Sequence, residues 1–215
     1  MVVLTNALER ILKGMQKNDP QIASLLQPGL KFWEIEEKLR VLPFRLPQDF
    51  YGFYQWKNGF ISTSKKRFSS FGGHDFFDLD WLIKNYFFTI EDEKKNADFS
   101  KRFPAEHPRT PQWFSLLGHD KQDYFIIGEQ EQKQTSPVFC FDYGNWDDFR
   151  PKLKYSCLTS MMLTIAECYE TGAYYDYKVE GRDTTCFGMN YPAAESIRKK
   201  YNPDCEYDAL IEELI

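Results

Sequence analysis

The stretch LPQDFYGFYQWKNGF, residues 46–60, predicts a helix together with its start and its end. Pro47 suits the first turn of a helix, where its missing N–H leaves no hydrogen bond unmade. Phe50 and Phe53 recur at helical spacing, so aromatic rings line one face of this helix. The Asn-Gly pair that ends at Gly59 predicts a left-handed stop, after which an extended run begins.

The sequence upstream of this stretch also predicts helices. FWEIEEKLRVLPFR, residues 32–45, has the pattern of an acidic amphipathic helix that Pro43 closes. Asp19 and Pro20 have the residue types of an N-cap and a first helical position. Residues 1–30 therefore read as a helical N-terminal arm.

Three short runs rich in β-forming residues occur in the middle of the chain. They are WFSLLG (113–118), DYFIIGE (123–129) and PVFCFDYG (137–144). Short polar stretches separate them, which is typical of an antiparallel meander. WDDFRPKLKYS, residues 146–156, adds a further candidate strand.

A helix follows the strands, with an apolar stripe that runs from Leu158 to Tyr169 and an expected end at Gly172. We expect its methionine-rich face to pack against the sheet rather than to bind an adaptable partner. Because helices precede and follow a run of strands, the sequence predicts an α+β fold. Its centre would be an antiparallel or mixed sheet of about four to six strands flanked by helices. Residues 181–215 would form a C-terminal helical extension packed on the domain.

Composition excludes several classes of protein. The net charge of −5 argues against a nucleic-acid partner, because phosphate binding needs a basic face. No apolar stretch approaches the roughly 20 residues that span a membrane, and the N-terminus lacks the pattern of a signal peptide. The five cysteines lie too far apart in sequence for a zinc or redox motif and suit small hydrophobic side chains in a reducing compartment. We therefore expect a cytoplasmic protein.

The sequence shows little that points to catalysis. His74 and His119 each precede an aspartate, a pairing that is also found in metal-dependent phosphohydrolases. Such a site needs several further ligands on rigid elements, and a His-Asp pair in a turn is more simply an exposed polar pair. No serine-hydrolase elbow and no glycine-rich phosphate loop is present. We expect no metal, no cofactor and no enzymatic activity, with an uncharacterised metal-dependent hydrolase as the less favoured alternative.

The order of the predicted elements resembles the SUKH superfamily. The resemblance rests on a helix, the Leu46-Pro47 elbow, the aromatic helix with its Asn-Gly end, and the strands and helix that follow, over about residues 32–175. This superfamily contains bacterial immunity proteins and the yeast Smi/Knr cell-wall regulator. The resemblance implies a SUKH-like domain over residues 31–180 that binds another protein, possibly a toxin domain. Its structural motif would comprise Leu46, Pro47, Phe50, Phe53 and Gly59.

The partner-binding residues would include aromatic side chains that lie off the apolar stripes. Trp56 lies beside the end of the aromatic helix, next to Asn58, and Trp146 lies in a turn before Asp147 and Asp148. Tryptophan is common among the residues that dominate binding energy, and acidic groups speed association with a basic partner. The resemblance leaves two roles open, which are toxin immunity and an intracellular regulatory scaffold. In either role we expect a monomer or a weak dimer.

Overall fold

A four-stranded antiparallel sheet lies at the centre of the fold, and helices pack against one of its faces. The computed structural model of the chain describes residues 2–61, 73–95, 112–118, 122–142, 151–178 and 185–205. The helices of this part are α1 (Val2–Asn18), α2 (Pro20–Ala23), α3 (Phe32–Leu39), α4 (Gln48–Trp56), α5 (Leu79–Lys95), α6 (Leu158–Thr171) and α7 (Tyr191–Tyr201). The strands are β1 (Leu26–Pro28), β2 (Lys57–Phe60), β3 (Trp113–Gly118), β4 (Gln122–Ile127), β5 (Val138–Asp142), β6 (Lys152–Tyr155), β7 (Tyr174–Lys178) and β8 (Thr185–Met189).

The central sheet is a meander in the order β3-β4-β5-β6, with every neighbouring pair antiparallel. Phe114 pairs with Ile126, and Tyr124 pairs with Cys140, so that these four buried side chains point into the core. Antiparallel strands that follow one another in sequence need only short turns, which explains the short polar stretches between them. The predicted α+β fold with a central antiparallel sheet is confirmed, and so is the further strand β6.

Helix α4, which the opening stretch predicts, lies at the centre of the core. Phe50, Phe53 and Tyr54 are fully buried. The ring of Phe50 contacts the ring of Phe114 in β3 in an edge-to-face arrangement, with 5.7 Å between the ring centroids. The ring centroid of Phe53 lies 4.5 Å from that of Phe76. Such pairs contribute about 0.5–1.5 kcal/mol each beyond the apolar area that they bury. The aromatic face therefore joins α4 to the segments around it.

The elbow before α4 is held by the loop between β4 and β5. Pro47 occupies the N-cap position, where it offers no side-chain oxygen to the first helical N–H groups. The loop supplies the acceptor instead, because the N–H of Gln48 donates to the carbonyl of Lys133 at 2.9 Å. The side chain of Gln132 donates to the carbonyl of Leu46 at 3.1 Å. These bonds satisfy backbone groups that a helix start leaves unpaired.

The N-terminal helix α1 packs along α6 and contributes to the same core as the sheet. Gly14 allows this close approach, because a Cβ at this position would lie 2.6 Å from the Cβ of Tyr169. At the edge of the contact, Arg10 donates two hydrogen bonds of 2.7 and 2.6 Å to the carboxylate of Glu170. The division of the chain at residues 30 and 180 stays a prediction.

Gly59 has a positive φ, but for a different reason from the helix stop that the sequence predicts. Its φ is +73°, as the Asn-Gly pair indicates, but the helix already ends at Trp56 and Gly59 lies within strand β2. A Cβ on Gly59 would lie 2.4 Å from the backbone nitrogen of Asp78 and from the carbonyl carbon of Phe77. The glycine is therefore required by a close crossing of two backbone segments, and its interpretation as a helix stop was wrong.

Two further local expectations differ from the structure. The helix predicted over residues 32–45 ends at Leu39, because the ring of Pro43 would clash with the carbonyl of Leu39, four residues earlier, if the helix continued. The strand pairs β1-β2 and β7-β8 were not predicted as pairs. Both are two-stranded and rich in polar or glycine residues, so that neither shows a sustained alternation of apolar and polar side chains.

A short segment joins the pair β1-β2 to the central sheet. The N–H of Phe60 donates to the carbonyl of Phe76 at 3.0 Å. Asp75 and Gly118 exchange two backbone hydrogen bonds of 2.6 and 3.2 Å. These contacts extend the sheet beyond β3 and fix the residues that precede α5.

A buried polar network fixes the end of α7 against the start of α6. Asn202 is fully buried, and its Oδ1 accepts from the N–H of Ser156 at 2.9 Å and from the hydroxyl of Ser160 at 2.6 Å. Its Nδ2 donates to the hydroxyl of Thr164 at 3.3 Å and to the carbonyl of Arg198 at 3.1 Å. One side chain therefore satisfies groups on two helices and on the residue that follows β6.

We expect Gly59→Ala to destabilise the fold more than Gly172→Ala does. Both glycines have positive φ, of +73° and +75°, so each alanine meets a backbone penalty of about 1 kcal/mol. A Cβ at Gly172 meets nothing within 4 Å, whereas at Gly59 it overlaps two backbone atoms. Relieving that overlap should cost a further ~1–3 kcal/mol, as overpacking does. Urea unfolding of the two variants measures the difference, and equal losses of stability would contradict the crossing at Gly59.

We expect Asn202→Ala to lower the free energy of unfolding by roughly 1–3 kcal/mol, because it leaves buried donors without their acceptor. Asn18→Ala is the matched control, since Asn18 lies exposed at the end of α1 and should change stability by less than about 0.5 kcal/mol. Denaturant titration of both variants checks this. Equal stability of the two variants would show that α7 is held by other contacts.

Candidate protein-binding surface

Two of the predicted partner-binding residues, Trp56 and Asn58, form side-chain hydrogen bonds within the fold. Trp56 is half-exposed, and its Nε1 donates to the carboxylate of Glu9 at 3.1 Å, which ties α4 to α1. The Oδ1 of Asn58 accepts from the N–H of Leu79 at 3.0 Å, the first residue of α5. Asn58 therefore positions α5 through its side chain. The other three predicted residues, Trp146, Asp147 and Asp148, lie outside the described residues, so the set as a whole stays a prediction.

Helix α5 exposes aromatic side chains on the face that points away from the core. Its inner face buries Leu79 and Leu82. The outward positions carry Trp81 and Phe88, which are 41% and 69% exposed, and Phe87, which is 38% exposed, lies at the flank between them and the inner face. The outer face of a helix in a globular protein normally carries polar residues. We name these three residues the α5 aromatic face.

Contacts at the start of α5 hold this face in a fixed orientation. The carboxylate of Asp78 accepts from the N–H of Trp81 at 2.9 Å, as an N-cap does. One face of the Trp81 ring stacks on Phe77 at 3.8 Å with an interplanar angle of 19°. Aromatic side chains held in this way lose little conformational freedom on binding, which favours their use in interfaces.

Helix α3 exposes a second aromatic pair. Phe32 and Trp33 are 52% and 63% exposed, and the ring of Phe32 leans against Tyr51 of α4 at 5.4 Å. The end of α3 is linked to the start of α5 by an ion pair of 2.6 Å between Lys38 and Asp80. The two exposed aromatic groups therefore lie on helices that are joined to each other.

Two ion pairs lie beside these aromatic residues, and the exposed Lys84 lies on α5 between Trp81 and Phe88. Asp80 is paired with Lys38, and Glu37 is paired with Arg40 of the same helix. Exposed pairs of this kind contribute little energy and leave little net charge.

The sequence contains a signal for the α5 aromatic face, although the predicted set of partner-binding residues does not include it. The apolar stripe of α5 explains its buried positions only. Trp81 and Phe88 lie off that stripe and seven residues apart, which places them two turns apart on one face of the helix. An aromatic pair at this spacing on the polar side of an amphipathic helix could have been recognised from the sequence.

Of the two histidines considered for catalysis, His74 lies in the interior and is not the exposed polar residue that the sequence predicts. His74 is 6% exposed, and its ring meets the ring of Tyr124 at 4.3 Å with an interplanar angle of 71°. His107 and His119 lie outside the described residues. Within the described ranges, no three His, Cys, Asp or Glu side chains are arranged to hold a metal ion.

A buried carboxyl group lies at the elbow before α4. Asp49 is 7% exposed, while its backbone N–H donates to the carbonyl of Gln134 at 3.1 Å. Burial raises the pKa of this carboxyl to about 7, and the backbone N–H groups of Phe50 and Leu158 partly offset that rise. Because Leu158 begins α6, the carboxyl lies at a helix N-terminus, where a negative charge is favoured.

We expect the stability of the protein to depend on the ionisation of Asp49. In the unfolded chain this carboxyl titrates near its ordinary pKa of 3.8, whereas in the fold its pKa is about 7. The folded state therefore binds a proton that the unfolded state has released. Its contribution to stability is complete below pH 4 and is lost as the pH rises through about 7. Asp49→Asn cannot titrate, so the stability of the native chain relative to this variant should fall from pH 4 to pH 8.

Urea unfolding of both proteins at several pH values measures this change, which should be on the order of 2–4 kcal/mol. The comparison at each pH cancels the titration of all other groups. Parallel curves for the two proteins would contradict a raised pKa at Asp49.

Comparison with known proteins agrees with the order of elements described above. The model of the SMI1 / KNR4 family (SUKH-1) matches residues 30–164, from just before α3 to the middle of α6. No curated protein matches the chain. In the part of the chain that the structure describes, no helix has both the length and the apolar character needed to cross a bilayer. Because the match covers more than half of the chain, the protein belongs to the SMI1 / KNR4 family (SUKH-1).

Proposed function

We propose that the protein is a non-catalytic protein-binding module, and that it acts as an immunity protein that neutralises a toxin by direct contact. Its family includes immunity proteins as well as cell-wall regulators and is generally non-catalytic. The observation that carries the proposal is the α5 aromatic face, with Phe88 69% exposed on a helix that is fixed at its start.

The chemistry of this face favours a protein as the partner. Large aromatic side chains dominate the binding energy of protein interfaces, particularly where they are rigid and central. The nearby acidic groups Asp80 and Glu37 are paired within the chain, so the complementary surface should be apolar where it meets the aromatic rings. A regulatory scaffold within the cell is the alternative, since it would use the same surface with a different partner. The hydrolase alternative gains no support from His74, which is buried against Tyr124.

Co-expression with a toxin domain encoded beside the gene tests the immunity role. The native chain should restore growth and form a stable complex with the toxin domain. Growth arrest with a folded native chain and no complex would contradict immunity. A complex with a cellular protein in place of the toxin would support the scaffold role.

We expect Phe88→Asp to weaken binding of that partner by roughly 30-fold or more, which corresponds to the loss of a binding hot spot. Tyr191→Asp is the matched control, because Tyr191 is 62% exposed at the start of α7 and the substitution introduces the same charge. It should change affinity less than about twofold. Calorimetric titration of both variants checks the assignment. If Tyr191→Asp alone weakened binding, the surface would lie near α7 and not on α5.

A further inference from the structure

A lysine lies between the two most outward aromatic residues of α5. Lys84 is exposed, three residues after Trp81 and four residues before Phe88. At 3.6 residues per turn, these three positions lie within about 60° of one another around the helix axis. Trp81 and Phe88 are about 10 Å apart along that axis, because each residue adds about 1.5 Å. A protein that covers both aromatic rings therefore also covers Lys84.

The acidic residue best placed to pair with Lys84 is engaged by another lysine. Asp80 lies four residues before Lys84, which is the spacing at which an acid and a base pair on the surface of a helix. Both carboxylate oxygens of Asp80 instead accept from the ammonium group of Lys38 on α3, at 2.6 and 2.8 Å. In the part of the chain that the structure describes, Lys84 forms no ion pair. Its charge is therefore available to a group outside the chain.

Covering this ammonium group with a purely apolar surface would oppose binding. A charge that leaves water without a counter-charge loses its hydration and gains nothing in return. Lysine is accordingly depleted in the cores of protein interfaces. A carboxylate opposite Lys84 would replace the lost hydration by a charge-assisted hydrogen bond. The position of Lys84 between two aromatic rings therefore favours a partner with an acidic group at that point.

The spacing of these three side chains is fixed because they share one well-held helix. Asp78 caps the start of α5 through the N–H of Trp81, and the ring of Trp81 stacks on Phe77. On the opposite side of the helix, Leu82 and Tyr86 are buried in the core. The helix can therefore neither rotate nor slide without losing these contacts. A partner has to match the spacing that α5 presents.

We propose that the partner is a protein surface with a carboxylate between two apolar pockets, in which the pockets take Trp81 and Phe88 and the carboxylate pairs with Lys84. This inference rests on the proposed function, because it describes the partner of the same surface. The aromatic contacts would supply most of the affinity. The ion pair would select among partners of similar apolar shape, because a partner without an acid there would leave the ammonium group covered and unpaired.

Calorimetric titration of the toxin domain encoded beside the gene tests the proposal, with Lys84→Met as the variant. Methionine removes the charge but keeps an unbranched side chain and a high helix propensity, so α5 should remain intact. We expect the affinity to fall about tenfold or more, because the carboxylate of the toxin domain loses its counter-charge. Lys13→Met is the matched control, since Lys13 is exposed on α1, and it should leave the affinity unchanged.

The titration separates failure of this inference from failure of the proposed function. Equal or tighter binding of Lys84→Met would overturn the inference, because it would show that the flexible lysine stem carries the ammonium group away into water. If Phe88→Asp still weakened binding in that case, the proposed function would stand. A native chain that binds no toxin domain would contradict the proposed function, and this inference with it.

Zero-length cross-linking of the complex with a carbodiimide gives a second test that needs no variant. This reagent joins an amine to a carboxylate only where the two groups are in contact. A cross-link between Lys84 and an aspartate or glutamate of the toxin domain, identified by mass spectrometry, would support the proposal. Cross-links to the toxin domain from other lysines of the chain, with none from Lys84, would overturn it.

Discussion

Burial of the aromatic face of α4 is the interaction on which the remaining structure depends. Phe50 reaches the central sheet through Phe114, while Phe53 and Tyr54 reach Phe76 in the segment that extends that sheet. The hydroxyl of Tyr54 donates to the carbonyl of Phe77 at 2.9 Å, so that its burial leaves no polar atom unmatched. Without these contacts, the central sheet and the pair β1-β2 would lack a common core.

The same helix controls the position of the candidate binding surface. Gly59 and Asn58 follow α4 within a few residues, and they contact the backbone on either side of the start of α5. Phe77, which accepts the hydrogen bond from Tyr54, also supports the ring of Trp81. The exposed aromatic residues therefore rest on a chain of direct contacts that begins in the core. A surface of this kind is pre-organised, since its geometry does not have to be created by the partner.

Elements with local signals could be predicted from the sequence, whereas features created by distant contacts could not. Asp78 can cap a helix start with its carboxylate, and Gly172 can adopt the positive φ that ends a helix. The structure places the start of α5 and the end of α6 at these residues. The role of Gly59 arises from a crossing with residues about 20 positions away, which no local pattern reveals. Trp56 and Asn58 looked available for a partner because Glu9 and Leu79, which engage them, are distant in sequence. Exposure of a polar or aromatic residue is a tertiary property, so the site was harder to predict than the fold.

The pairing of α1 with α6 has a consequence for how the chain is made. Arg10 and Glu170 are 160 positions apart, and α1 packs more extensively against this distant helix than against α2 or α4. At translation rates of 5–20 residues per second, roughly 10–30 s pass between the synthesis of these two helices. During that interval the first helix has emerged from the ribosome without its packing partner and exposes Leu8 and Ile11, which the finished protein buries completely. The nascent chain therefore passes through a long period in which the apolar surface of α1 is a substrate for chaperones, and this part of the core closes only after α6 has been made.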